Sequence, residues 1–367
     1  MRTSPTLSIY FGRQFLAAFG AILMAFVSVS FLFDLVETLR RANSKDNAVF
    51  SVVLSMSLFK LPHLTEQVIP FAVLFGAMLA FWRLTRSQEL IVVRSVGVSV
   101  WQFIFPALFL AFLIGVAKIT MLNPVASAML FRYEELENKY LKGKTSMLSV
   151  SDTGFWLREN DPGGDVIVHA LRVTSHDFNN FELHDVTFFR FGANDRFVGR
   201  IDATSARLKA GDWDLTNAWR ASPDRPPRFE KTLRVPTELT FNEIQNSFAS
   251  PESISFWDLP RFIDVLQRAG FSAQRHRLYW NSLLADPLLQ CAMVLIAASF
   301  SLRHQRRGGT LLLIALGVFT GFLIYFLSDV VFALGLSATI PIFLAAWSPA
   351  GASTLLGSAV LFHLEDG

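Results

Sequence analysis

The sequence predicts a polytopic α-helical membrane protein with six transmembrane helices and an inserted all-β jelly-roll domain. Three observations predict it. Six segments are long and apolar enough to cross ~30 Å of hydrocarbon as helices. The stretch between the third and the fourth alternates apolar and polar residues at period two instead. Charge is scarce, at 17% of 367 residues, where a soluble domain carries about 25%. The mean hydropathy of +0.39 and the 52% hydrophobic content agree, so membrane and soluble parts share one chain.

The spans run approximately Phe11–Val36, Val49–Trp82, Val98–Leu122, Leu278–Leu302, Thr310–Leu334 and Ala338–Phe362. The first begins near Met1 but exceeds a signal-peptide core and has no small-residue cleavage site after it, so it is expected to be retained. The second is too long for one straight crossing. Pro62 and Pro70 are expected to kink it or to end a preceding helical turn. Arg2, Arg13, Arg83, Arg86, Arg94, Arg303, Arg306 and Arg307 fall on one side of the membrane, and Arg40, Arg41 and Lys45 on the other. The richer side is cytoplasmic by the positive-inside rule. Both termini are then cytoplasmic and the long insertion is external, which is periplasm in a double-membrane cell. Residues 1–123 carry three spans, 124–277 the external domain and 278–367 three more spans.

Cys291, the single cysteine, lies in the fourth span, so the external domain relies on a packed core rather than a disulfide. The net charge of +3 is small and the basic residues sit at span ends, which gives nucleic-acid binding no support.

Between Thr145 and Phe241 the runs GFWLREN, DVIVHALRV, HDVTFFRF, RFVGRIDAT and DWDLTNAWRA place apolar residues at period two. Asp161-Pro162-Gly163-Gly164, Asn179-Asn180, Gly192-Ala193-Asn194-Asp195 and Ala210-Gly211-Asp212 punctuate them. Short strands with such turns predict a sandwich or a jelly roll. Val166, Val168 and Ala170, with Val186, Phe188 and Arg190, supply one face per strand. Two amphipathic helices flank the strands. One is Ala126–Leu141. The other starts at Ser255, with Asp258 completing its cap and Gly270 ending it.

Catalytic chemistry is not visible. Gly143-Lys144-Thr145 ends like a phosphate-binding loop, but Asn138 stands where that motif needs glycine. His169, His176 and His184 show no zinc spacing, and no Ser-His-Asp set has a nucleophile-elbow context. The chain reads as no enzyme and as needing no cofactor.

Charges within the spans are informative because they are expensive there. Asp34, Glu37, Arg40 and Arg41 cluster at the outer end of the first span, with i, i+3 and i, i+4 spacing. They read either as interfacial anchors or as the lip of a cavity for an anionic amphiphile, with Asp34 and Glu37 restraining the arginines. Lys60, His63 and Glu66 start the second span and face the same choice. Lys118 lies in the third span, Asp329 in the fifth, and Asp286 before Pro287 is the deepest acid without an evident partner. Of the 36 phenylalanines, Phe31, Phe33, Phe71 and Phe75 read either as lipid-facing filler or as the lining of an acyl channel.

On the cytoplasmic side Ser87–Gly97 reads SQELIVVRSVG, a short amphipathic helix at about 84–96 between two spans. Such a helix is a handle for a soluble motor subunit. That favours a transporter subunit over a membrane-anchored lipid-binding scaffold without transport.

The chain resembles the permease subunits of the lipopolysaccharide-export ABC transporter, the LptF/LptG (YjgP/YjgQ) family. The carriers are DLVETLRR at the end of the first span, VIPFAVLFGAMLAFWRLTRSQELIVVRSVGVS, SISFWDLPRFIDVLQRAGFSAQRHRLYWNSL and GLSATIPIFLAAWSP. The first and last lie closer to the LptG branch. The resemblance implies a heterodimer with a second, LptF-like permease and a cytoplasmic LptB-like ATPase dimer. It also implies LptC-like anchor and LptA-like bridge proteins, with lipopolysaccharide as substrate. It places Glu89 as the coupling glutamate with Arg86, Arg94 and Gly97 around it, and Arg40 and Arg41 as the pair that meets the lipid's phosphates. Asp34 and His63 stand where the family often has basic residues.

Overall fold

The computed structural model describes residues 5–42, 50–89, 95, 99–142, 148–151, 154–161, 164–175, 181–192, 196–209, 211–223, 225–237, 244, 249–268, 271–301 and 310–366. Two compact units emerge. One joins Met1–Tyr133 to Arg277–Gly367, and the other is Glu134–His276.

The helical unit begins with α1 (Pro5–Ala42) and α2 (Phe50–Arg86). Next come α3 (Val100–Ala117), a π-helical turn at Lys118–Leu122 and α4 (Asn123–Glu137). After the β unit and its helix α5 (Leu259–Arg268) come α6 (Gln274–Ser301), α7 (Thr310–Leu336) and α8 (Ile342–Asp366). Among the described residues six helical stretches are long and apolar enough to cross a membrane. In hydrocarbon only a helix or a closed barrel satisfies every backbone group, so apolar length suffices to specify them. Pro62 and Pro70 do not end a helix. Both lie inside α2, which runs unbroken over 37 residues. Neighbouring helices support such prolines within membranes.

Val73, Leu74, Ala77, Ile104, Ala111, Val294 and Ala297 form the centre of this unit, each fully buried. Small residues set the approach of its helices. A Cβ on Gly76 would lie 2.7 Å from Phe19 Cα, and one on Gly115 would lie 2.5 Å from Pro287 Cα. Gly76→Val is therefore expected to force α1 off α2 and cost about 1–3 kcal/mol. Gly20→Ala, at a position with nothing within 4 Å, should be neutral or slightly stabilising. Thermal denaturation in detergent compares them, and equal melting would disprove the close contact.

The second unit is a seven-stranded antiparallel sheet in chain order. Its strands are β1 (Leu148–Ser151), β2 (Gly154–Asp161), β3 (Gly164–Ser175), β4 (Phe181–Gly192), β5 (Arg196–Lys209), β6 (Asp212–Ser222) and β7 (Arg225–Pro236). The inserted all-β domain is as expected. Its order is that of a meander, whereas a jelly roll is built from Greek keys. The short turns read from the sequence explain this, since each lets a strand pair only with its successor. The sheet still encloses an interior. Thr237, just past β7, donates to buried Glu159 on β2 at 2.7 Å, so the two ends of the sheet curl together.

The enclosed core holds Phe155, Leu157, Val168, Phe181, Leu183, Phe188, Trp213 and Leu215, all buried. Leu266, Phe262 and Ile263 of α5 pack against the same core. Asp185 and Asn217 each have φ of 53° in mid-strand, a conformation Asp and Asn tolerate better than most. At both places the buried phase slips. Leu183 and Val186 are both buried, as are Leu215 and Ala218, so the strands bend while keeping apolar residues inside.

The helix expected from Ser255 starts later, at Leu259. Ser255 instead holds a turn, its carbonyl accepting from Asp258 N at 3.0 Å and Leu259 N at 2.9 Å. Gly270 and Gly143-Lys144-Thr145 lie outside the described residues.

Candidate functional site

Three groups of charged residues on the helical unit contain the residues singled out from the sequence. The first ends α1. Glu37 accepts from Arg40 Nε at 2.9 Å and from Arg41 Nε at 2.8 Å, and Arg40 Nη2 reaches its other oxygen at 3.0 Å. Helical spacing places these side chains side by side. The two arginines stay exposed and carry one net positive charge with Glu37. Asp34 does not restrain them. It is buried and accepts from Lys60 Nζ of α2 at 2.6 Å. Its place on the inner side of α1, one turn before Glu37, turns it toward α2. Lys60 also lies 5.3 Å from the ring centroid of Tyr133, a cation–π distance.

The second group continues inward. His63 lies 3.0 Å from the Gln67 amide through Nε2, with Nδ1 3.9 Å from Glu66. Glu66 is buried within electrostatic reach of Lys118, Asp286 and Asn123. Lys118, on the π-helical turn, donates to Asp286 at 2.7 Å, with side-chain exposures of 10% and 8%. Asp286 therefore has the partner that sequence reading did not find for it. Its other oxygen accepts from Gln290 at 3.1 Å. Asp34, Lys60, Glu66, Lys118 and Asp286 thus alternate in sign through the unit. Lone ionisable residues of opposite sign in the third and fourth spans were the signal, and 168 residues of separation hid the pairing. Asp329 is exposed on α7.

The third group follows α2. Ser87 Oγ donates to Glu89 at 2.8 Å, Gln88 turns the chain with φ of 59°, and Arg86 stacks 5.3 Å from the Trp82 centroid. Arg94, Gly97 and residues 90–94 of the expected helix lie outside the described residues. Of the phenylalanines, Phe71 meets Phe322 and Tyr325, Phe75 meets Phe26, and Phe33 faces outward. No group of three metal-ligating side chains occurs among the described residues.

Six apolar helices interrupted by one β unit, with charges threaded through the bundle, define a polytopic membrane protein with a large soluble insert. The chain belongs to the LptF/LptG family. The model described as lipopolysaccharide export system permease LptF/LptG matches residues 9–363. The lipopolysaccharide export system permease protein LptG of Haemophilus influenzae is 25% identical over 343 residues, 89% of each chain. Its namesake from Escherichia coli (strain K12) is 23% identical over 376 residues, 99% of each chain.

Proposed function

We propose that this chain is a permease subunit of an ABC transporter that extracts lipopolysaccharide from the inner membrane and passes it to a periplasmic bridge. The family match across nearly the whole chain carries the reading. ATP hydrolysis comes from a separate cytoplasmic ATPase dimer, and a second permease of the family completes the pathway. The distribution of arginines supports cytoplasmic termini and a periplasmic β unit. Arg40 and Arg41 meet the lipid's phosphates, oriented by Glu37, while Asp34 and His63 set the inner wall through Lys60 and Glu66. Glu89, with Arg86, Arg94 and Gly97, couples the chain to the ATPase.

Copurification and reconstitution test this. ATP-dependent release of lipopolysaccharide from proteoliposomes is the expected result, and a chain that binds lipid but releases none is a scaffold. Glu89→Arg should weaken ATPase association about tenfold or more, since inverting a desolvated interface charge is costly. Normal assembly and release in that variant would remove Glu89 from the coupling role. Arg40→Ala with Arg41→Ala should lower lipid-stimulated hydrolysis several-fold in an intact complex. Unchanged lipid binding would make the two arginines interface anchors.

A further inference from the structure

α5 has two faces with different surroundings. Leu259 and Leu266 are buried, and Phe262 and Ile263 pack on the β core. Arg261, Asp264 and Arg268 lie on the other side, exposed, and Asp264 pairs with Arg268. Trp257 stands four residues before Arg261. It is 61% exposed, more than any other large apolar side chain described in the β unit. The backbone beneath it is nevertheless fixed. Ser255 Oγ accepts from Trp257 N at 3.2 Å, and the Ser255 carbonyl accepts from Asp258 N and Leu259 N. Phe256 meets the indole edge-on, with ring centroids 5.2 Å apart. A held turn thus presents a tryptophan outward.

The same segment is tied on both sides of Trp257 to the first turn of α6. Before it, Glu252 lies 3.6 Å from Arg275, and the Ala249 carbonyl lies 3.2 Å from His276 Nε2. After it, the Phe262 ring centroid lies 5.1 Å from that of His276. α6 runs on without a break through Tyr279 and Trp280, residue types that gather where a span meets its head groups. At 1.5 Å per residue they follow His276 by about 4–6 Å along the helix. Head groups occupy about 5–8 Å on each side of the hydrocarbon. The first turn of α6 therefore belongs to the head-group layer, and Trp257 sits midway along the segment attached to it.

We propose that Trp257, backed by Phe256, is a membrane-interface anchor whose partner is the phospholipid surface. The indole enters the boundary between head groups and acyl chains beside the head of α6, and so holds this end of the β unit at the bilayer. Tryptophan suits that boundary, because its ring is apolar and its N–H finds a partner among head groups and water. Arg261, exposed four residues on, keeps its charge among the lipid phosphates while its stem lies along apolar surface. Nothing in this depends on the export reading, only on α6 crossing a membrane.

Photoreactive benzoylphenylalanine in place of Trp257, in the full chain in vesicles of phosphatidylethanolamine and phosphatidylglycerol, tests it. Phospholipid adducts, identified by mass, should form several-fold more often there than with the same replacement of Trp219. Trp219 is 52% exposed on β6 but pairs with Phe229 of β7, so it controls for exposure alone. Should the replacement at Trp257 fail to fold, the native indole serves as the probe. Lipids brominated near the head-group end of the acyl chain should quench the fluorescence of the unaltered protein more than that of Trp257→Phe. Equal phospholipid adducts at the two positions overturn the anchor, as do crosslinks from position 257 to protein alone. Quenching that Trp257→Phe leaves unchanged overturns it too.

Discussion

Asp286→Ala is expected to destabilise the helical unit by about 3–5 kcal/mol, the usual cost of stranding one member of a buried ion pair. Two groups lose their acceptor at once. The Lys118 ammonium loses its contact at 2.7 Å, and the fully buried Gln290 amide loses its contact at 3.1 Å. Glu66 is within electrostatic reach of Lys118 but already interacts with Asn123. The π-helical turn that carries Lys118 has little reason to hold its place once the pair is gone. Lys118→Met should be comparably severe, because it strands the carboxylate instead. The double change Lys118→Met with Asp286→Leu removes both charges and fills the space, so most of the loss should return. Thermal denaturation of the four proteins in detergent decides the matter. If the two single changes add in the double, the residues act independently and the pair contributes no coupling.

Local relations in this chain were readable, and distant ones were not. Glu37, Arg40 and Arg41 meet because a helix brings residues three and four apart together. The spans follow from apolar length, yet α1 continues past Val36 to Ala42. A helix satisfies its own backbone bonds whatever its side chains are, so DLVETLRR extends it beyond the apolar edge. Asp34–Lys60 and Lys118–Asp286 join separate helices, and composition states only their signs and depths. In the β unit the alternation of Val166, Val168 and Ala170 was legible. The slips at Asp185 and Asn217 were not, because a polar residue in mid-strand looks like the ordinary outward position.

Trp213→Ala is expected to cost the β unit about 3–5 kcal/mol, the range for truncating a large aromatic in a core. Trp213 is 1% exposed, with Phe181 and Phe188 ring centroids at 6.1 and 6.0 Å. Its indole N–H has no hydrogen-bond partner, so burial of its ring surface, not polar contact, holds it there. Trp213→Phe deletes that unpaired donor together with some ring surface, and the two effects oppose each other. Its cost should therefore be well under half that of alanine. The consequence reaches β7, because Trp213 stands directly opposite Val235 there. Losing the indole loosens the end of β7, next to the Thr237–Glu159 bond to β2. Limited proteolysis of the full chain, with cleavage mapped to the β unit, measures this directly. Alanine should open the unit to cleavage and phenylalanine should leave it closed. If both variants are cut alike, the indole N–H matters more than the ring, and the core around Trp213 holds by polar contact after all.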